Sequence, residues 1–436
     1  MTTSKDFSAC VAQYDPNALP VEAAQEIVRQ WAMPRASNAQ TERVSLHDAL
    51  GRVLAEDVIS PIDVPAFDNS AMDGYAFSGA ALARSSGSDT IDLAVAGTAF
   101  AGRPFAATPG AAECVRIMTG ALMPAGCDTV IPQEHVTRAG DTIRFAAAKI
   151  RAGQNRRLSG EDLAKGKPAL LAGRIVRASD LGLLASLGIA DVSVHKRLVV
   201  AFFSTGDELR SVGETLSPGS VYDSNRYTLF AMLKRLGVET IDLGVVRDDR
   251  ASLEKALREA TARADVVISS GGVSVGDADF TRELMSSLGD IAFWKIAMRP
   301  GRPLAFGRLW SGARPGAGKP ALFFGLPGNP VAVMATFYFI VREALLAMSG
   351  AAHQPLTVIR ARAAEPIKKR AGRTEFQRGI ATREADGRWS VVTTGSQGSG
   401  VLSSMSEANC FIVLEHARGE IDAGEDVEIV PFDGLI

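Results

Sequence analysis

Apolar and polar positions change rhythm several times along the chain. Val21–Trp31 carries apolar residues at helical spacing behind Pro20, which predicts a helix opened by proline. A second short helix is expected over Ser45–Leu54, with Ser45 as its N-cap and Asp48 in its first turn. From residue 78 to 155 the apolar runs shorten to Ile91–Ala96, Glu113–Met118, Asp128–Pro132 and Thr142–Phe145, broken by Gly, Pro and Asp. That spacing predicts a small β-barrel or sandwich. Asp180–Leu187 reads as a helix closed by Gly188. From Arg197 strands alternate with helices: Leu198–Phe203, a helix capped at Asp223-Ser-Asn225, Thr240–Val246, Ala251–Ala264, Val266–Ile268, Ala278–Leu288, Ile291–Ala297, Leu304–Gly307 and Ala321–Gly325. A long apolar helix then runs to Met348, with Asn329 as N-cap and Pro330 at its first position. Beyond His353, short strands at Leu356–Ala361, Phe376–Ile380, Trp389–Val392, Cys410–Leu414 and Asp426–Ile429 predict a small all-β module.

The expected class is therefore α/β plus β, in several domains: a doubly wound α/β domain over 195–350, a small β domain inserted over 55–155, a C-terminal β module over 354–436, and 1–54 with 156–194 connecting them. A length of 436 residues agrees with more than one domain. Hydrophobic content of 46% and charged content of 22% suit a soluble globular chain. A net charge of −2 implies no strong attraction to nucleic acid or membrane. The run Val331–Val341 is too short to span a bilayer, and Met-Thr-Thr-Ser-Lys-Asp lacks an apolar signal core, so a cytoplasmic location is expected. Cys10, Cys114, Cys127 and Cys410 form no CxxC pair and are expected to be reduced and buried. The five histidines are scattered and suggest neither zinc nor histidine catalysis.

Candidate chemistry gathers at the ends of the α/β strands, where such sheets bind ligands. Val266-Val267-Ile268 suits a strand buried on both faces of a parallel sheet. Ser269, Ser270, Gly271 and Gly272 follow, and the glycines allow a sharp turn and close approach of a ligand. Their N–H groups offer an anion cradle, with Asp277 and Asp279 beside it. Phosphate flanked by carboxylates often needs Mg²⁺ between them. The plainer reading is a tight strand-to-helix turn with an Asp cap. Thr205-Gly-Asp-Glu208, Asp248-Asp249 and Pro327–Pro330 end other strands, and Lys295, Arg299 and Arg302 lie on or just after the next one. Each has an ordinary explanation alone; together they predict an anion site with cations for phosphate and carboxylates for Mg²⁺. A polar loop, Pro61–Phe77, offers Asp68, Asn69, Ser70 and Asp73, with Phe67, Met72 and Tyr75 as expected anchors.

These pieces together resemble the molybdopterin molybdenumtransferases, the MoeA proteins of bacteria and the C-terminal part of gephyrin in animals. The resemblance rests on Phe67-Asp-Asn-Ser-Ala-Met-Asp-Gly-Tyr-Ala76, Met118-Thr-Gly-Ala121, Gly160-Glu-Asp162, Ser204-Thr-Gly-Asp-Glu-Leu209, Ser269–Asp279, Arg299-Pro-Gly-Arg-Pro303, Leu326–Val331 and Gly395–Gly400, and covers nearly the whole chain. It implies an elongated linking domain for 1–54 with 156–194 and a molybdopterin-binding role for 195–350. It implies insertion of molybdenum from molybdate into adenylylated molybdopterin, with Mg²⁺ and release of AMP. Asp279, Lys295, Glu208 and Asp248 match the positions implicated in catalysis, with Asp248 and Asp279 on the metal. The motifs also carry Thr205, Asp207, Gly271, Gly272, Ser274, Arg299, Arg302, Pro327, Gly328, Asn329 and Pro330 as substrate-binding positions. Arg378 and Ser399 match positions linked to molybdate. Asp68, Thr119 and Asp162 match positions that reach the cleft from the partner in a homodimer. Arg299 and Arg302 stand where many relatives carry lysine, which keeps the charge but changes its shape. Two other readings are a molybdopterin adenylyltransferase, itself a possible transient partner of a transferase, and a non-catalytic scaffold. Molybdate and tungstate share charge and shape, and the sequence does not separate them.

Overall fold

The computed structural model of the chain describes residues 15, 18–36, 40–83, 90–272, 279–312 and 316–433. The chain folds as two compact units, one of Met1–Ala55, Gly173–Arg177 and Ser193–Ile436, the other of Glu56–Ala172 and Ala178–Val192.

The larger unit is built on a six-stranded sheet in the order Glu239–Val246, Val199–Thr205, Val266–Ser270, Pro320–Leu326, Pro303–Trp310, Gly289–Lys295. The first four strands are parallel and the last two pair antiparallel. Val266–Ser270 lies between two parallel neighbours with all five residues buried, as its unbroken apolar run implies. The helices Asn225–Arg235, Arg250–Arg263 and Asp279–Leu288 alternate with the strands. Asp249 starts the second of these by accepting from the Ser252 N–H at 2.9 Å.

The sheet is covered on one side by a nineteen-residue helix, Pro330–Met348. Length and composition would let it cross a bilayer, but 78% of its most apolar window is buried in the protein, so it is a core helix. It is longer than the Val331–Val341 run suggests because Arg342–Met348 continues the same axis. Its middle turn, Phe337–Val341, is π-helical, and the Phe339 carbonyl accepts from Gln25 Nε2 at 2.7 Å. Phe339 stacks on Phe376 at 3.8 Å and meets Phe411 at 5.3 Å, which packs the C-terminal strands onto this helix. Those strands, Ile359–Ala363, Thr374–Arg383, Trp389–Thr393, Cys410–Leu414 and Asp426–Pro431, close on themselves because Thr374–Arg383 pairs with both Trp389–Thr393 and Cys410–Leu414. Closure removes exposed strand edges.

Near the start of the chain the helix Val21–Ala36 forms as expected and extends further. The expected helix over Ser45–Leu54 is mostly absent. Thr41–Ser45 is a strand, and only Leu46–Ala49 is helical, capped by Ser45 accepting from the Asp48 N–H at 3.4 Å. Gly51, at φ +73°, follows immediately and turns the chain away.

The smaller unit holds a six-stranded mixed sheet in the order Thr129–Pro132, Gly74–Phe77, Glu113–Ile117, Thr90–Ala99, Thr142–Ala146, Thr137–Ala139. An apolar cluster covers each face, one around Tyr75, Phe77 and Ile143 and one around Val115, Ile117 and Val130. Cys114, Cys127 and Cys410 are free, buried thiols, as expected; burial pushes them up to about 12, 11 and 12. Cys10 lies outside the described residues.

Candidate functional site

Strand direction decides which residues share an edge. Val199–Thr205, Glu239–Val246, Val266–Ser270 and Pro320–Leu326 all point one way. Two antiparallel steps return Gly289–Lys295 to that same direction, so Lys295 ends at the carboxyl edge with Thr205, Ser270 and Leu326. Pro303 pairs with Lys295, which places Arg302 and Arg299 at this edge as well. The chain leaves Val199–Thr205 for a neighbour on one side and returns through Val266–Ser270 on the other. That is the switch point at which open α/β sheets bind ligands. Four inter-strand steps separate Val199–Thr205 from Gly289–Lys295, roughly 19 Å in all. The edge therefore suits a long, multiply charged ligand.

At the switch point the backbone is fixed from several sides. Gly271 and Gly272 have φ of +89° and +67°, and a Cβ on Gly271 would lie 2.2 Å from the Thr205 carbonyl oxygen. The Gly271 N–H donates to the Leu326 carbonyl at 3.1 Å. Asn225 Nδ2 donates to Ser270 Oγ at 2.8 Å and to the Gly328 carbonyl at 2.7 Å, and Ser270 Oγ donates to the Pro327 carbonyl at 3.3 Å. Asn225 thus ties the Ser-Gly-Gly turn to the Pro327–Pro330 turn. The sequence around Asn225 indicates only a helix cap; this tie depends on the tertiary fold. Ser204 Oγ donates to Asp223 Oδ1 at 3.0 Å, and the Arg226 N–H reaches the same oxygen at 3.2 Å. Among the described residues, Thr205 Oγ1, Ser269 Oγ and Asn225 Oδ1 are buried without a hydrogen-bond partner. Three such orphans at one strand-end cluster are costly unless a ligand satisfies them.

The acidic end of the edge is equally specific. The Asp248 N–H donates to Asp207 Oδ1 at 3.4 Å. Burial, then the charges of Asp207, Glu208 and Asp249, push the Asp248 carboxyl above its ordinary range. A dication would relieve this repulsion. Among the described residues no group of three carboxylate, histidine or cysteine side chains forms a closed metal cage. Mg²⁺ does not require one, since it is commonly held by one or two carboxylates together with substrate phosphate. Asp279 opens its helix, but its side chain, like Ser274 and Asp277, lies outside the described residues.

At the basic end Lys295 is half-buried and Arg302 exposed. Arg299 pairs in register with Glu375 of the C-terminal barrel, and its Nη1 lies 3.9 Å from Glu375 Oε2. Glu375 is buried and also holds Arg373 Nε at 2.9 Å and Gln377 Nε2 at 3.0 Å. The barrel also supplies the Gly395–Gly400 loop, whose Ser399 carbonyl accepts from the Val331 N–H at 3.1 Å. The loop is thereby clamped to the turn where Asn329 sits. Asn329 occupies the N-cap position as expected, but its side chain makes no cap bond. Arg378 is 1% exposed and spends four of its N–H groups within the protein. Its Nε donates to Ser404 Oγ at 3.0 Å, Nη1 to the Gln397 carbonyl at 3.3 Å, and Nη2 to the Ser396 and Gly398 carbonyls at 3.1 and 2.9 Å. Burial, with the charge of Arg299, pushes it down to about 10. Arg378 thus shapes the loop that carries Ser399.

The smaller unit gathers the remaining predicted residues around its polar loop. Asp68 accepts from the Ser159 N–H at 2.8 Å and lies 3.4 Å from Arg156 Nε. Asp73 accepts from the Thr119 N–H and hydroxyl at 2.7 and 2.8 Å, which holds it below its usual range. The Asp162 N–H donates to the Val64 carbonyl at 3.0 Å, and its side chain is exposed. Tyr75 is buried and anchors the segment, but Phe67 and Met72 are 46% and 41% exposed, so they are not the expected anchors. The strand Gly74–Phe77 draws Tyr75 inward, whereas Phe67 and Met72 sit on turns outside it.

Family comparisons cover the same ground. The MoeA N-terminal region (domain I and II) matches residues 19–188, the "Probable molybdopterin binding domain" matches 201–347, and the MoeA C-terminal region (domain IV) matches 360–432. The molybdopterin molybdenumtransferase of Haemophilus influenzae is 44% identical over 417 residues, covering 95% of this chain and 98% of that protein. The chain belongs to the molybdopterin molybdenumtransferase family. Another molybdenumtransferase, from Nostoc sp., is 36% identical and covers 90% of this chain and 89% of its own length. The crystal structure of the molybdopterin biosynthesis moeA protein from Pyrococcus horikoshii superposes with a TM-score of 0.78 at 28% identity, over 95% of this chain and all of that one. The expected fold class, a multidomain α/β and β molybdenumtransferase architecture, stands.

Proposed function

We propose that the chain transfers molybdenum from molybdate to adenylylated molybdopterin and releases AMP, with Mg²⁺ as the resident metal. As a family member it is a transferase of molybdenum cofactor biosynthesis. The observation that carries the finer reading is the carboxyl edge: carboxylates at one end, Gly271 and the orphaned polar atoms at the switch point, cations at the other. The pterin with its phosphates spans such a length, and the bond to be broken lies between two phosphates.

Asp207, Glu208 and Asp248, with Asp279, are the residues that would hold Mg²⁺. When bound, the ion would neutralise the bridging phosphates as AMP departs. Thr205 Oγ1, Ser269 Oγ and Asn225 Oδ1 would gain partners from the polar pterin part or its phosphate. Lys295, Arg299 and Arg302 would take up negative charge along the basic end. Ser399 and the loop amides set by Arg378 would receive the molybdate dianion beside Asn329, with Pro327, Gly328 and Pro330 shaping that wall. Asp68, Thr119 and Asp162 would complete the cleft from a second subunit of a homodimer, and an adenylyltransferase would hand over the substrate. A cytoplasmic location belongs to the same reading.

The test is incubation of purified protein with adenylylated molybdopterin, Mg²⁺ and molybdate, following AMP by chromatography. Molybdate-dependent AMP release is the expected result. No release, with AMP incorporated from ATP onto free molybdopterin instead, would move the activity one step earlier. Partner binding without either reaction would favour a scaffold.

A further inference from the structure

Away from the carboxyl edge, a cavity of about 470 Å³ opens where the helix Asn225–Arg235 ends and the Arg342–Met348 segment passes. Its lining includes Arg197, Lys234, Arg235 and Arg342 and no carboxylate. Part of this charge has a structural role. Arg197 Nη1 donates to the Gly237 carbonyl at 2.6 Å, and Lys234 and Arg235 sit in the last turn of a helix, where cations are favoured. Arg342 is not explained in this way. It lies inside the long Pro330–Met348 helix, is half-buried, and its buried Nε has no hydrogen-bond partner among the described residues. Burial pushes the Arg342 guanidinium below its ordinary range and Glu343 offsets this only in part; Glu343 itself lies 3.1 Å from His353 Nδ1. One helical turn earlier, Tyr338 is 3% exposed, its hydroxyl also lacks a partner among the described residues, and it feels the charges of Arg235 and Arg342. Four cations thus converge on one cavity, with a buried N–H and a buried hydroxyl unpaired beside them. An anion would pair with the cations and satisfy the unpartnered N–H and hydroxyl.

We propose that this cavity is a second anion site, which takes a small phosphorylated molecule with an apolar portion. The phosphates would lie among Arg235, Arg342 and Lys234. The apolar portion would lie on Leu50, Val53, Leu236 and Leu346, which also line the cavity. The volume suits a ligand of nucleotide size or less. The cavity lies by the amino ends of Val199–Thr205 and Glu239–Val246, opposite the carboxyl edge, so its occupancy is separable from the transferase reaction.

The experiment is titration calorimetry of the whole chain with inorganic pyrophosphate at fixed ionic strength, with ADP as a second probe. Arg342→Gln should weaken pyrophosphate binding by about 10-fold or more, the scale of a lost charge-assisted contact. Leu50→Glu keeps the fold safe, because Leu50 is 55% exposed, and sets a carboxylate at the cavity mouth. It should weaken both probes. Lys295→Gln should leave this binding event intact, which separates it from phosphate at the carboxyl edge. The proposal is overturned if wild-type protein binds neither probe, if chloride competes as well as pyrophosphate, or if Leu50→Glu binds like wild type. Loss in Lys295→Gln alone would return the anion to the carboxyl edge.

Discussion

The carboxyl edge of the α/β sheet and the polar loop of the smaller unit are both rich in Asp, Asn and Ser, and each has a buried polar atom without a described partner, yet they use their carboxylates in opposite ways. In the smaller unit Asp63 accepts from the Lys165 N–H, Asp68 from Ser159, Asp73 from Thr119 and Asp128 from Gly79, each at 2.7–2.8 Å. Those carboxylates substitute for secondary structure and hold irregular chain in shape. At the carboxyl edge the acids crowd one another, and buried side-chain atoms of Thr205, Ser269 and Asn225 have no described partner. The difference teaches that residue type alone does not mark a site. Carboxylates that crowd one another beside buried, unpartnered polar atoms are the stronger mark, because one ligand can relieve both at once.

The largest effect should come from the edge itself. Lys295→Ala or Asp279→Asn should reduce AMP release by about 1000-fold, the scale of removing a group that meets developing charge, with an unchanged Tm. Activity within a few-fold of wild type would dissolve the contrast. Asn225→Ala should damage both fold and activity, since Asn225 is 8% exposed and donates to Ser270 and Gly328. A stability loss of about 2–3 kcal/mol in denaturant titration, with about 10-fold or more lost in kcat/KM, is expected. Arg378→Ala should release the Ser399 loop, lowering Tm and raising the molybdate concentration for half-maximal activity; Ser399→Ala should raise the latter with Tm unchanged. Equal molybdate dose responses in both variants would remove this loop from oxyanion binding.

A smaller effect should follow from pH. The Asp248 carboxyl is raised, so the folded state holds its proton more tightly than the unfolded chain does. Its ionisation therefore costs stability as pH rises through the folded value, and that cost is absent below the unfolded value. A dication and a proton compete for the same relief. Mg²⁺ affinity, read by calorimetry, should weaken as pH falls toward the ordinary carboxylate range, and Asp248→Asn should flatten the profile.

Much of this was legible in the chain because strong local signals agree with the fold. Val266-Val267-Ile268 is apolar enough to be a central strand, and Gly271-Gly272 supplies the positive φ its turn needs. The cations were legible as candidates, but their common edge depends on two antiparallel reversals that no local pattern encodes. Asn225 was hidden for the same reason, because its partners lie 45 and 103 residues away. Ser45–Leu54 misled because a good N-cap starts a helix without stating its length, and Gly51 ended it. Arg378 was legible as an oxyanion ligand by resemblance; that its guanidinium is spent on loop carbonyls requires coordinates.

The smallest effect tests the comparison most finely. Asp162 belongs to the loop-rich unit, but its carboxylate is exposed and, among the described residues, makes none of the backbone bonds that occupy Asp63, Asp68 and Asp73. If structural duty is what those bonds signify, Asp73→Asn should weaken the Thr119 contact and lower Tm slightly, whereas Asp162→Asn should leave Tm untouched. If such a group also serves the proposed cleft from a second subunit, it should still register in kinetics. Asp162→Asn is expected to raise KM for adenylylated molybdopterin about 3- to 10-fold with little change in kcat, the signature of lost uniform binding. A KM equal to wild type would leave Asp162 as ordinary solvated surface charge, and would confine the site to the carboxyl edge.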